Sequence, residues 1–271
     1  MLHSLKDIEN CTIGATDGFI GHVKDVYFDD DAWVIRYLIV ETGEWLSRRR
    51  VLISPIAINQ PNWAEKILPA AITQDQVKNS PDIDTDKPVS RQHEIGYLGY
   101  YEYPYYWSGG GLWGGGLYPG MMLSGEYRRI QAQNARADTE ADAERHQGDD
   151  PHLRSGNAVM KHHVHATDGD IGHVQGLLID EKTWSIRYMI VNTSNWWLGH
   201  EVLIAPEWID EMNWATSKVS VDLTRQAVKD SPAYDSANIL DRREEADIYK
   251  HYGRDGYWPR ESTRESARTT L

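Results

Sequence analysis

Three histidines crowd one stretch of the chain, His162, His163 and His165, followed by Asp168 and Asp170. In an extended strand His163 and His165 point to one face, as two imidazole ligands of a divalent metal would, and the aspartates could add oxygen donors. This pattern would suit a metal-binding sensor or a metal-dependent hydrolase. A matching stretch 151 residues earlier carries Thr12 and Gly14 in the places of His163 and His165, so the shared backbone does not require the imidazoles. His22 and His173 do recur, and lone histidines in repeated strands read as packed and hydrogen-bonded. Asp29-Asp30-Asp31 suggests calcium, but its counterpart Asp180-Glu181-Lys182 lacks the spacing and the glycine of an EF-hand loop, which favours a solvated turn. Cys11 has no neighbour that would lower its pKa. Gly109 to Gly114 spells G-x-G-x-x-G without the strand, helix and later acid of a dinucleotide site. There is no P-loop, no Gly-x-Ser-x-Gly elbow and no His-Glu-x-x-His. The expectation is a protein without turnover and without cofactor, with His163 and His165 as the metal candidates.

The aromatic residues point to contact rather than catalysis. The chain holds 11 Trp and 15 Tyr but only 2 Phe, and rings with a polar edge suit half-buried and interface positions. From Tyr103 to Gly125 no residue is charged, yet Pro104, Pro119 and the eight glycines between 109 and 125 exclude a spanning helix. Tyr105, Tyr106, Trp107, Trp113 and Tyr118 are therefore the candidate partner-binding residues, with Trp107 expected to be more covered than Trp113. With 28 Lys+Arg against 41 Asp+Glu, a net charge of -13, nucleic acid and anionic lipid are poor partners. A protein partner is expected, with a homo-oligomer or a pairing of domains within the chain as further options. The single cysteine excludes an intrachain disulfide, and no basic-then-apolar leader opens the sequence, so the expected location is cytoplasmic.

The elements that position these residues come in two copies. At an offset of 151 residues, 36 of the 93 positions from 15 to 107 are identical, without a gap. Ala15-Thr16-Asp17-Gly18 recurs from Ala166, Ile35-Arg36-Tyr37 from Ile186, Val51-Leu52-Ile53 from Val202, and Tyr106-Trp107 as Tyr257-Trp258. Asp17-Gly18 and Asp168-Gly169 are hairpin signals. Strands are expected over Phe19–Phe28 and Trp33–Val40, with a possible bulge at Gly21, and over Ile171–Asp180 and Trp184–Val191. Trp33, Ile35, Tyr37 and Ile39 are expected to be more buried than Val34 and Arg36. Arg36 and Arg187 recur among apolar neighbours, and the expected partner is a carboxylate across the barrel wall that the sequence does not name. Thr73 and Thr224 read as N-caps of short helices. The Tyr-Trp tails are expected to return onto a barrel, their own or the sister copy's.

Short strands, tight turns and one short helix per copy define an all-β chain of two small barrels. The run Asp-Gly-x-Ile-Gly-x-Val, Trp-x-Ile-Arg-Tyr-x-x-Val, Val-Leu-Ile-x-Pro and Val-Lys-x-Ser-Pro resembles the PRC-barrel domain, known from the photosynthetic reaction centre H subunit and from a ribosome maturation factor. The tandem arrangement looks like soluble bacterial two-copy PRC-barrel proteins. The resemblance implies an interaction module, a scaffold or adaptor. It also suggests, by family name, a soluble or peripheral factor of photosynthetic or electron-transport assemblies. The expected organisation is a first repeat over 1–107, a linker over 108–153 that is glycine-aromatic and then polar with a marginal helix, a second repeat over 154–258, and a disordered tail over 259–271.

Overall fold

A computed structural model describes residues 1–82, 89–107, 110–123, 152–193 and 200–258; the expected helix of the linker and the expected tail after 258 lie outside the described residues. The first half runs β1 (Leu2–Ser4), α1 (Leu5–Glu9), β2 (Thr12–Ala15), β3 (Gly18–Asp29), β4 (Val34–Thr42), β5 (Arg50–Ile53), β6 (Ile67–Pro69), α2 (Gln74–Lys78) and α3 (Arg91–Tyr100). The second runs β7 (Leu153–Ser155), α4 (Gly156–Val159), β8 (His163–Ala166), β9 (Gly169–Asp180), β10 (Ile186–Asn192), β11 (Glu201–Ile204), β12 (Ile209–Asn213), β13 (Lys218–Val221), α5 (Arg225–Lys229) and α6 (Arg242–His251). The fold is mostly β, in two sheets ordered β5-β4-β3-β2-β6 and β11-β10-β9-β8-β13-β12. The same parallel pairing, β2 with β6 and β8 with β13, appears in both.

The turn chemistry explains why the two copies share a backbone. Asp17 closes the β2–β3 hairpin and accepts a bond at Oδ1 from the Gln74 N–H, 2.8 Å away, at the start of α2. Asp168 does the same for Arg225 N–H at 2.7 Å. Thr73 and Thr224 are the N-caps expected, each accepting from the N–H three residues on. Gly21 stands where β3 crosses the β4 backbone so closely that a Cβ would lie 2.0 Å from the Glu41 carbonyl oxygen; Gly172 repeats this against Asn192.

Both faces of β4 are buried, as a strand covered on both sides requires, but the expected difference between them is absent: Val34 and Arg36 are as buried as Ile35, Tyr37 and Ile39. Trp33 is only half-buried. It precedes the strand, at φ 52°, in the left-handed region that bulky side chains rarely adopt. Trp184 repeats the conformation at φ 58° but is buried. Two ten-residue helices, α3 and α6, were not foreseen. Ser90 caps α3, and Asp241 with Glu244 forms a capping box on α6.

The chain divides into two compact units that follow the repeats except at short segments. One unit holds His3–Ala158 together with Asp180–Ile186; the other holds Met1–Leu2, Val159–Ile179 and the chain from Arg187. Two pieces of the second repeat thus belong to the first unit. Strand β7 pairs antiparallel with β3, in register Tyr27↔Ser155, Phe28↔Arg154 and Asp29↔Leu153. The turn Asp180–Ile186 meets the turn after β3: Ile35 N–H donates to Trp184 O at 2.9 Å, and Ile186 N–H donates to Trp33 O at 2.7 Å.

Candidate functional site

In the first unit the side chains able to do acid–base chemistry gather where α3 and the Tyr-Trp tail cover β4. Arg36 lies over the Tyr106 ring, 3.9 Å from guanidinium carbon to centroid. It donates to Asp29 Oδ2 at 3.0 Å and to the Leu112 carbonyl at 2.6 Å. Asp29 is therefore the carboxylate partner that the sequence left unnamed. The next residue, Tyr37, donates its hydroxyl to Glu94 Oε1 at 3.1 Å, and Tyr106 donates to the same oxygen at 2.5 Å. Arg91 donates to Glu94 Oε2 at 3.1 Å and to the Tyr106 hydroxyl at 3.2 Å. Glu94 is only 3% exposed.

The other unit repeats the arrangement at the 151-residue offset. Arg187 lies 3.9 Å from the Tyr257 ring centre. Tyr188 and Tyr257 donate to Glu245 Oε2 at 3.0 and 2.8 Å, and Arg242 pairs with Glu245 Oε1 at 3.2 Å. Each tail thus packs on its own repeat. Sequence reasoning missed the acids and the arginines on the helices. The signal was present, since Arg91/Arg242 and Glu94/Glu245 are identical pairs in a stretch where few others are.

Burial pushes the Glu94 carboxyl above its ordinary range; Arg91 and the bonds from Tyr106 and Tyr37 pull it back only in part. Burial, and then the charge of Glu94, push Tyr37 and Tyr106 well above theirs, so both phenols stay neutral donors. Burial acts to lower Arg91, but its contacts with Tyr106 and Glu94 together outweigh it and hold the guanidinium above its ordinary range. With its oxygens engaged by three donors and closed to solvent, Glu94 is arranged as a clasp for the tail rather than as a base waiting for a substrate proton.

The uncharged aromatic segment divides into buried and half-buried rings. Tyr105, Trp107 and Tyr118 are half-buried. Tyr105 stacks on Trp107 at 4.8 Å, and Arg91 covers Trp107 at 4.1 Å. Tyr106 is buried, and Trp113, expected to be the more open ring, is fully buried. The glycines explain this correction. Bonds from Gly111 N–H to Gly114 O, and in both directions between Trp113 and Gly116, satisfy a tightly folded backbone that carries the indole inward. Its Nε1–H then donates to Thr183 O at 2.8 Å. Met121 remains 44% exposed beside this segment.

The histidines differ in burial and partners. His162 is buried and its pKa lowered, first by burial and then by His163. His163 is exposed and stands opposite His173 in the β8–β9 register. His165 Nδ1 lies 2.6 Å from Asp170 Oδ1, a bond that holds Asp170 below its ordinary range. Among the described residues, the three-ligand group whose donor atoms converge is instead Asp30, Asp31 and His152. There Asp30 is engaged by Arg154 at 2.8 Å and Asp31 by His152 at 3.3 Å. Among the described residues no helix is long and apolar enough to cross a membrane.

Comparison with known families identifies a PRC-barrel domain at residues 2–67, the stretch from β1 to the start of β6. No curated protein matches the chain.

Proposed function

We propose that the chain is a non-enzymatic, protein-binding scaffold or adaptor built from two PRC-barrel domains and acting in the cytoplasm. The 36 identities at constant offset, together with the paired Arg–Tyr–Glu clasps, support a second PRC-barrel domain from 154 to 258. The observation that carries the binding reading is the division of the tail. Tyr106 is locked into the clasp, whereas its neighbours Tyr105 and Trp107 stack on each other, with Arg91 over Trp107, while keeping part of their surface open. Half-open rings held in a fixed stack are of the residue types enriched at protein interfaces. The docking residues in this reading are Tyr105 and Trp107 in the tail and Tyr118 with Met121 in the segment that follows. The net charge of -13 argues against nucleic acid.

The test is affinity capture with the full chain from its native host, compared with a Tyr105→Ser/Trp107→Ser variant of unchanged far-ultraviolet circular dichroism. Partners captured by the wild type and lost by the variant are expected. Equal capture by both would remove these rings from the interface, and turnover of a captured small molecule would overturn the non-enzymatic reading.

A further inference from the structure

The segment Leu153–Asn157 occupies a groove along the Tyr27–Asp29 end of β3. Three backbone pairs and a bond from Asp30 N–H to His152 O at 3.0 Å hold it there. Backbone pairing of this kind takes any extended sequence; the side chains do not. Arg154 Nε donates to Asp30 Oδ2 at 2.8 Å. Ser155 Oγ donates to Asp25 Oδ2 at 2.5 Å, and Asp25 Oδ1 accepts the Asn157 N–H at 3.0 Å. The Asn157 amide donates to Glu9 Oε1 at 2.9 Å. At Gly156 the groove is too narrow for a side chain: a Cβ would lie 2.8 Å from Val26 Cγ2 and 3.0 Å from Leu5 Cδ2. Leu153 is buried. Burial pushes the Asp25 carboxyl up despite its bonds from Ser155, Val26 and Asn157, so a strand without those donors would leave a desolvated acid unpartnered.

The chain contains its own control. The matching segment 151 residues earlier is Leu2-His3-Ser4-Leu5-Lys6. It keeps the leucine and the serine but puts Leu5 where only glycine fits and Lys6 where the asparagine amide donates. Two of the three reading groups belong to one repeat as well, since the counterparts of Glu9 and Asp25 are Met160 and Gly176, whereas that of Asp30 is Glu181, which lies 3.2 Å from His3.

We propose that β3 with Glu9, Asp25 and Asp30 is a sequence-reading strand site. Its ligand is the Leu-Arg-Ser-Gly-Asn segment of this chain, bound in cis here and exchangeable for the same segment of a second copy. Exchange of identical elements keeps every contact and costs little beyond association.

The test uses the full chain with Gly156→Val, which spoils the segment in cis, and labelled peptides followed by fluorescence anisotropy. The peptide of residues 152–160 is expected to bind this variant at least tenfold more tightly than the peptide of residues 1–9, and at least tenfold more tightly than it binds the wild-type chain. Equal binding of the two peptides, or no binding to the folded variant, overturns the proposal. If Gly156→Val does not fold, a charge exchange decides. Asp30→Arg and Arg154→Asp should each lower the melting temperature, and the double variant should recover at least half of the loss. A double variant no better than the singles overturns the reading by side chains.

Discussion

Replacing Tyr106 with Phe removes one hydroxyl and tests the clasp directly. That hydroxyl donates to the buried Glu94 carboxylate at 2.5 Å and accepts from Arg91 at 3.2 Å. A hydrogen bond to a charged group contributes about 1.5–3 kcal/mol, so a loss of about 2 kcal/mol is expected near pH 7.5. The pH dependence is the sharper part. Glu94 is raised above its unfolded value of 4.5 in the folded chain. Its contribution to stability is therefore complete below 4.5 and is lost as pH climbs through the folded value. The bond from Tyr106 is one of the forces pulling that folded value down. Without it the folded value rises further and the variant loses more stability over the same climb. The difference between variant and wild type should shrink to about 1 kcal/mol, that of a neutral pair, when both are measured at pH 4.5. Urea unfolding followed by tryptophan fluorescence at the two pH values reads both numbers. A loss below about 0.5 kcal/mol at pH 7.5, or an equal loss at both pH values, refutes the clasp as described.

Trp113→Ala empties a fully buried site and removes the indole bond to the Thr183 carbonyl, so it should cost about 3–5 kcal/mol in thermal or chemical unfolding; a loss under about 1 kcal/mol would place the indole outside the core. Gly21→Ala puts a methyl 2.0 Å from the Glu41 oxygen and should destabilise by more than about 2 kcal/mol, at the upper end of ordinary point changes, measured as a shift in urea midpoint. Burial pushes the Cys11 thiol up to about 11. At pH 8 it should stay unlabelled by a disulfide reagent in the native chain and react promptly in urea.

The strands were legible because the same alternation and the same Asp-Gly turns occur twice, and β3, β4, β9 and β10 fall within a few residues of where the pattern puts them. Arg36 was legible as a cation in need of a carboxylate, since its charge is repeated inside an apolar run, but its near-complete burial was not expected. Glu94 was not. A glutamate three residues from an arginine on a short polar stretch looks like a solvated helix face even where the pair recurs, and only the three-dimensional return of Tyr106 makes it a buried acceptor. Trp113 was misjudged for a related reason. Glycine-rich sequence reads as flexible chain, whereas here the glycines permit turns tight enough to drive the ring inward. The strand site at β3 was illegible because nothing in Leu153–Asn157 announces that it serves the other repeat.

The turns Asp29–Trp33 and Asp180–Trp184 carry a consequence for how such a chain can change. In each, the aspartate side chain accepts two backbone N–H groups of its own turn, and the tryptophan carbonyl receives an N–H from just beyond the other turn. One residue inserted in either turn would displace its tryptophan and break both cross-bonds at once. The lengths of the two turns are coupled even though their residues are free to diverge, as Asp30-Asp31-Ala32 and Glu181-Lys182-Thr183 have done. A duplication tied in this way accumulates substitutions but rejects insertions and deletions at the tie, and the unbroken spacing of 151 residues is the trace it leaves.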